Sequence, residues 1–460
     1  MFGLNKNHYL GVIVLALLSL GQLQRITTPL VSFYLHDVVA LFWLIDLCRT
    51  HATFLFHKTK TILTQNKALA LFLFGSATWI LLGWNWQWYS AGFSFWPFAY
   101  SLRMLVYGAL AYSLLQINTA KKILSHHDIG YGLEFFYAVL LLFGWLQYFF
   151  IPDTRWLAVL GWDDHLGRMI GTQFDPNFLG LLLIFASIWT VYQFQQTRHA
   201  RFLVTSLLVV AAITVTWSRS TYIAFVVTHV ALVATNASRV FATFFKPNKK
   251  INLTLPIISL LLITVLLIGI QSITKPVGEG GNLGRISTVQ SRIANTLIVI
   301  TPRSSVETIL GRGLFTITTD TYQNNYQRPN HSKLPTSLPA FIISGIGYGG
   351  LFALLAVTFY VVFKTKHKQQ RIQSLLKRYP MFVFAVLATL IHSLANASFT
   401  QPFVVLLLLS FLVLENSEGK CSVKSSKKSN VIRSKKSWEV SSDKGSEKGS
   451  EKGSEKGSEK

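Results

Sequence analysis

The chain has 460 residues, 51% of them hydrophobic and 13% charged, where soluble domains carry about a quarter charged residues. Its formal net charge is +24, yet the Lys and Arg residues cluster in alternate short loops and in the C-terminal tail, the pattern of retention on the cytoplasmic side of a membrane; a long stretch at 271–339 carries a further set that includes Lys275, Arg303 and Arg328. A water-soluble fold and a nucleic-acid partner are both excluded on this distribution.

Apolar runs long enough to cross about 30 Å of hydrocarbon recur along most of the chain. They are continuous rather than alternating, which favours helices over a barrel. The expected fold is an all-α polytopic integral membrane protein with about twelve transmembrane helices and one long external loop. The spans are expected at 9–24, 30–47, 68–84, 97–117, 130–151, 174–194, 202–217, 221–235, 253–273, 338–363, 381–397 and 402–414. The organisation is then 1–270 for helices one to nine, 271–339 for the external loop, 340–415 for helices ten to twelve and 416–460 for a disordered basic tail. The first run follows Lys6 without a small-residue cleavage site and reads as an uncleaved span. Cys48 and Cys421 lie at a span end and in the basic tail, so no structural disulfide is expected.

Orientation follows from charge. Arg49, Lys58, Lys60 and Lys67 occupy one loop, Lys121 and Lys122 the next of the same set, then Arg198 and Arg201, then Arg239, Lys246, Lys249 and Lys250, and finally Lys364 to Arg378. The positive-inside rule makes these loops and both termini cytoplasmic. The long loop, rich in Gly, Ser, Thr and Asn, falls outside. The aromatic stretch from Trp84 to Trp96 suits a membrane interface, with a sugar-stacking platform as the other reading. The tail ends in tandem Gly-Ser-Glu-Lys repeats and offers lysines to anionic membrane lipids.

Several short elements carry groups suited to chemistry. Arg168-Met-Ile-Gly-Thr-Gln-Phe-Asp-Pro-Asn-Phe-Leu-Gly180 opens the sixth span, with Pro176 at a tolerated helix start. Asp175 or Asn177 can satisfy the first-turn donors there. A helix N-terminus beside Arg168 suits an anion; an ordinary Pro-capped span with a snorkelling arginine is the plainer alternative. Trp217-Ser-Arg-Ser-Thr-Tyr222 then places Arg219 between two apolar spans, where an arginine is costly unless it pairs or snorkels. No acidic residue stands beside it in sequence, which leaves an anionic ligand as a candidate partner.

Within the long loop, Ile286, Val289, Ile293, Leu297 and Ile300 repeat at helical spacing, with Arg285 and Arg292 two turns apart on nearly one side. Guanidinium forks match phosphate oxygens better than ammonium groups do. A solvated basic face is the competing explanation. Gly311-Arg312-Gly313 and Asn330-His331-Ser332 follow, and a neutral His331 there suits proton abstraction from a hydroxyl. Asp163-Asp164-His165 is a weak metal or acid–base candidate, and His126-His127-Asp128 reads as a solvated loop. His36, Asp37 and Asp46 are the ionisable residues of the second span, the feature a transporter would need.

Together these elements resemble the O-antigen ligase/polymerase superfamily of bacterial membrane glycosyltransferases. The resemblance runs from about Arg168 to Phe363 and rests on the Arg168–Gly180 run, Ser218-Arg219, Arg292, Gly311-x-Gly313 and His331-Ser332 before the tenth span. The family's His-Asn pair stands here as His331-Ser332, and Arg292 lacks the aromatic residue that often follows. The resemblance implies transfer of a glycan from an undecaprenyl-pyrophosphate carrier to an acceptor hydroxyl on the outer face of the cytoplasmic membrane. It makes the external loop catalytic, with Arg219 and Arg292 neutralising the pyrophosphate and His331 acting on the acceptor. Arg168, Asn177, Arg285 and Arg312 would bind substrate. Neither a cofactor nor a metal ion is implied, and the acceptor is a glycan, a lipid or a protein according to whether the chain is a polymerase, a ligase or a protein O-oligosaccharyltransferase. A polysaccharide or lipid transporter and a non-catalytic assembly subunit are the competing classes.

Overall fold

The computed structural model describes residues 6–28, 32–91, 95–121, 123–160, 162, 165–243, 254–273, 290, 293–294, 296–297, 299–302, 304–316, 337–364, 376 and 378–417. The described residues are mostly helical: α1 Lys6–Ser19, α2 Leu35–Gln65, α3 Lys67–Ala91, α4 Phe95–Lys121, α5 His126–Phe150, α6 Pro176–Thr197, α7 Ala200–Val215, α8 Arg219–Thr243 and α9 Thr254–Ile273. A short α10 spans Ser305–Leu310, followed by α11 Leu338–Lys364, α12 Pro380–Ser393 and α13 Pro402–Ser417. The strands among the described residues form a small hairpin, β1 Arg25–Thr27 antiparallel to β2 Ser32–Tyr34, with Arg25 opposite Tyr34.

Each expected apolar stretch is occupied by a helix, but they are unequal. Among the described residues six are long and apolar enough to cross a membrane, on α2, α3, α4, α5, α6 and α11, and six others are shorter apolar helices. The fold is that of an all-α protein with several membrane-suited helices, and a full set of twelve spans is more than helix length supports. α2 departs most from expectation. It runs 31 residues, about 46 Å by the helical rise per residue, through the basic stretch read as a loop, with only a kink at His51 (φ −128°, ψ 21°). Leu, Lys and Gln are good helix formers, and the Lys58 and Lys60 charges do not end the helix. His126-His127-Asp128 is also no loop: Ser125 caps α5 by accepting from Asp128 N at 3.2 Å, and Asp128 pairs with His8 of α1.

The centre of the bundle is α6. It is apolar around its whole circumference, as a helix packed on all sides must be, and Leu179, Leu181 to Ile188 and Trp189 are buried. It packs on α7, α8 and α12. By contrast α3 is peripheral and leaves Leu71 and Phe74 each 73% exposed, a surface that bilayer hydrocarbon would cover.

The bundle has two unlike ends. At one, near both chain termini, short links and ion pairs such as Lys6–Asp46 at 2.6 Å join the helices, and Glu415 caps α12 by accepting from Met381 N and Phe382 N. At the other lie the hairpin and the 3-10 segments Gly21–Gln24, Gly171–Gln173 and Ser398–Thr400. Thr172 Oγ1 donates to Ser19 O there at 2.8 Å, joining the Gly171–Gln173 segment to the end of α1. Irregular backbone carries unpaired N–H and C=O groups that must find partners, and this end is accordingly rich in buried polar side chains.

Candidate functional site

The principal polar site is built on the break between α7 and α8. α7 ends at Val215, Trp217 takes a left-handed conformation (φ 53°), and α8 begins at Arg219. Such a break leaves terminal carbonyls without intrahelical donors. Four are met from outside the ladder. Tyr222 Oη donates to Thr214 O at 2.6 Å, Met169 N to Val215 O at 3.0 Å, Arg168 Nε to Thr216 O at 3.0 Å and Arg168 Nη2 to Trp217 O at 3.3 Å. A cation at a helix C-terminus also faces the negative end of the helix dipole. Arg168 thus holds the break open in a defined shape, a positioning role where substrate contact was expected.

The opposite wall is the start of α6. Asp175 caps it, accepting from Asn177 N at 2.6 Å and Phe178 N at 3.1 Å. Those two donors are filled by the chain's own carboxylate, so the α6 N-terminus is not an open anion site at these groups. Asn177 instead reaches across: its Oδ1 accepts from Ser218 Oγ at 2.7 Å. The helices can come this close because Gly180 faces Thr221, where a Cβ would lie 2.2 Å from Thr221 Oγ1.

Arg219 is the first residue of α8 and is half-buried. Its neighbours on both sides are tied down. Ser218 Oγ accepts from Thr221 Oγ1 at 2.8 Å while donating to Asn177, and Ser220 Oγ accepts from Asn396 Nδ2 at 2.9 Å. Ser220 Oγ also lies 3.3 Å from His392 Nε2, and His392 Nδ1 lies 2.7 Å from Ser398 Oγ. His392 and Ser398 are fully buried. Half-buried Arg219 therefore stands in the chain between two serines, at the edge of a cluster of hydroxyls, carboxamides and one imidazole.

Sequence reasoning missed His392, Asn396 and Ser398, which it placed in and after the eleventh span. A faint signal exists: His392 and Asn396 are four apart, on one side of a helical turn, just before a short polar link. What made them a site is contact with Ser220, 172 positions earlier.

Arg312 belongs to a different region. It is 6% exposed, its Nε lies 3.4 Å from Glu307 Oε2, and its Nη2 donates to Thr301 O at 3.1 Å. Gly311 (φ 73°) and Gly313 (φ 84°) let the chain pass between α3 and the kink of α11 at Gly347 (φ 67°), with a Cβ on Gly311 meeting Gly347 N at 2.4 Å. Trp79 Nε1 donates to Ile346 O at 3.0 Å and Trp84 Nε1 to Leu314 O at 3.1 Å. Two of the tryptophans on and around the aromatic stretch thus fasten this junction. Arg312 is a structural cation here rather than an open substrate ligand. Arg285, Arg292 and His331 lie outside the described residues. Of the helix expected around them, Ile293 and Leu297 are more than half exposed.

A second ionic cluster sits at the head of α2. Asp37 pairs with Arg103 at 2.9 Å, accepts from Tyr34 N at 2.8 Å and is hydrogen-bonded by Tyr107. His36 is buried between Tyr34 and Tyr107, its Nε2 3.7 Å from Asp37 Oδ1. Asp46 is spent on Lys6. Among the described residues, no group of three or more His, Cys, Asp or Glu side chains could hold a metal ion. Asp163 and Asp164 lie outside those residues, and the His165 carbonyl accepts from Thr154.

No family model matches this chain, and no curated protein matches it by sequence, so the polar cluster at the α7–α8 break has to be interpreted from its own chemistry.

Proposed function

We propose that the chain is a membrane glycosyltransferase that moves a glycan from an undecaprenyl-pyrophosphate carrier to an acceptor hydroxyl, in the manner of an O-antigen ligase. The observation that carries this is the placement of Arg219. It stands at the first turn of α8, in a backbone break whose carbonyls are already satisfied by Arg168, Met169 and Tyr222. A guanidinium at such a preformed break is suited to charge developing on a departing pyrophosphate, and fixed charges of this kind stabilise a transition state without reorganising. On this reading, which follows the charge pattern of the loops, this end of the bundle faces the outside of the cytoplasmic membrane and both termini lie inside. Arg292 and His331 of the external loop complete the site on this reading, Arg292 as a second pyrophosphate ligand and His331 beside the acceptor.

A repeat-unit polymerase and a protein O-oligosaccharyltransferase share this donor chemistry and differ in acceptor. The test is transfer by the purified full-length chain, given an undecaprenyl-pyrophosphate-linked oligosaccharide. Lipid A–core oligosaccharide, free repeat units and a serine-rich peptide are offered in parallel. Transfer to one of them, lost in Arg219→Ala, is the expected result; no transfer to any sinks the proposal.

One observation favours a second class. The Asp37–Arg103–Tyr107 cluster with buried His36 is an ionisable group within a membrane-suited helix, the arrangement used for coupling in transporters. Lipid-linked glycan crossing vesicle membranes in a manner that depends on Asp37 would support that class.

A further inference from the structure

We propose that Ser220 and His392 form the proton relay for the acceptor hydroxyl, with Ser220 touching the acceptor and His392 acting through it. The idea rests on the glycosyl-transfer proposal and deepens it. Four contacts define the relay: His392 Nε2 to Ser220 Oγ at 3.3 Å, Asn396 Nδ2 to Ser220 Oγ at 2.9 Å, Asn396 Nδ2 to His392 Nε2 at 3.4 Å and His392 Nδ1 to Ser398 Oγ at 2.7 Å.

These contacts select the tautomer. The Asn396 Nδ2 group can only donate, and it faces His392 Nε2. A proton on Nε2 would set two donors against each other, so Nε2 carries the lone pair and Nδ1 carries the proton, which it donates to Ser398. Ser220 Oγ accepts from Asn396, and its own proton is shared between the Nε2 lone pair at 3.3 Å and Ser218 Oγ at 3.2 Å, because the Ser218 proton goes to Asn177 Oδ1. This is the arrangement of a hydroxyl, a base and a group that orients the base, the general requirement for activating an oxygen. His392 is fully buried while Ser220 is half-buried beside Arg219. The serine is thus the accessible member of the pair, through which an acceptor reaches the imidazole.

The step balances. The acceptor oxygen bonds to the anomeric carbon as the bond from that carbon to the pyrophosphate oxygen breaks. The bonding pair leaves on the pyrophosphate, facing Arg219. The acceptor proton passes to Ser220 Oγ, the Ser220 proton passes to His392 Nε2, and the imidazolium loses that proton to water before the next turnover. Ser398 holds the ring throughout. Asn177, through Ser218, fixes the serine-bearing turn from the other side.

The experiment measures kcat and KM of the full-length chain in the transfer assay above for the parent, His392→Gln, Ser220→Ala and Ser398→Ala. Glutamine keeps a hydrogen-bonding side chain in place of the ring but is no base. General-base assistance contributes about 10²–10⁴-fold. His392→Gln should therefore lose at least about 30-fold in kcat with KM within about twofold, Ser220→Ala should lose a similar factor, and Ser398→Ala should lose less. A smaller loss in His392→Gln, or one carried by KM, overturns the relay. Should His392→Gln fail to accumulate in membranes, Ser220→Ala decides on the same thresholds. An active parent with active variants overturns the relay alone, whereas a parent inactive with every acceptor overturns the transferase proposal and the relay with it.

Discussion

Two breaks in helical backbone organise this molecule, and they are handled in different ways. At the Gly311–Gly313 turn against the Gly347 kink, Arg312 is paired with Glu307, and two indole N–H groups meet the freed carbonyls of Ile346 and Leu314. At the Thr216–Ser218 break, Arg168 meets the carbonyls, and a second arginine stands next in the chain among hydroxyls and carboxamides. The first break spends its arginine on internal structure. The second uses one arginine for structure, and another, half-buried, opens the next helix. The type of residue is the same in both places; its partners decide whether it supports the fold or offers a site.

The contrast breaks most visibly at Glu307. Its side chain and that of Arg312 are 9% and 7% exposed, and removing one member of a buried pair costs about 3–5 kcal/mol. Glu307→Ala should lower the detergent-solubilised melting midpoint more than any other substitution named here. Replacing both residues with methionine should recover much of that loss, and no recovery would mean that Glu307 acts otherwise than by pairing. Next comes Gly311→Ala. A side chain there is forced into left-handed backbone against Gly347 N, and the strain is about 1–3 kcal/mol. It should loosen α10 from α11, read as faster hydrogen exchange across 305–316, with the α7–α8 break unaffected.

Arg168→Lys sharpens the other side. Lysine keeps the charge but lacks the fork that spans Thr216 O and Trp217 O, so a loss of about 1–2 kcal/mol is expected together with reduced transfer. Arg219→Ala should abolish transfer while lowering the melting midpoint less than Glu307→Ala does, since Arg219 is half-buried and Glu307 is a buried member of an ion pair. If Arg219→Ala instead melts as early as Glu307→Ala, the two breaks are alike and both arginines are structural.

Much of the fold was legible in the sequence because crossing a bilayer imposes a length and an apolar composition on each segment. The stretch 338–363 is occupied by Leu338–Lys364 and 253–273 by Thr254–Ile273. Charge was a poor guide to where helices stop, since Lys58 and Lys60 sit on the continued α2. The hairpin before α2 was not foreseen: three-residue strands give too little alternation to register.

The site was legible only in part, and for a definite reason. Local sequence marked Arg168, Asn177 and Arg219, because a proline-started helix and an arginine between apolar runs are local events. It could not say that Arg168 would be used up on the carbonyls of Thr216 and Trp217, since those partners lie 48 and 49 positions away. Nor could it say that His392 would meet Ser220. Composition and spacing determined that this is a helical protein with membrane-suited spans and arginines beside breaks. Tertiary packing alone decided which carbonyls Arg168 meets and that His392 meets Ser220, because a hydrogen bond is a matter of a few ångströms in space and not of distance along the chain.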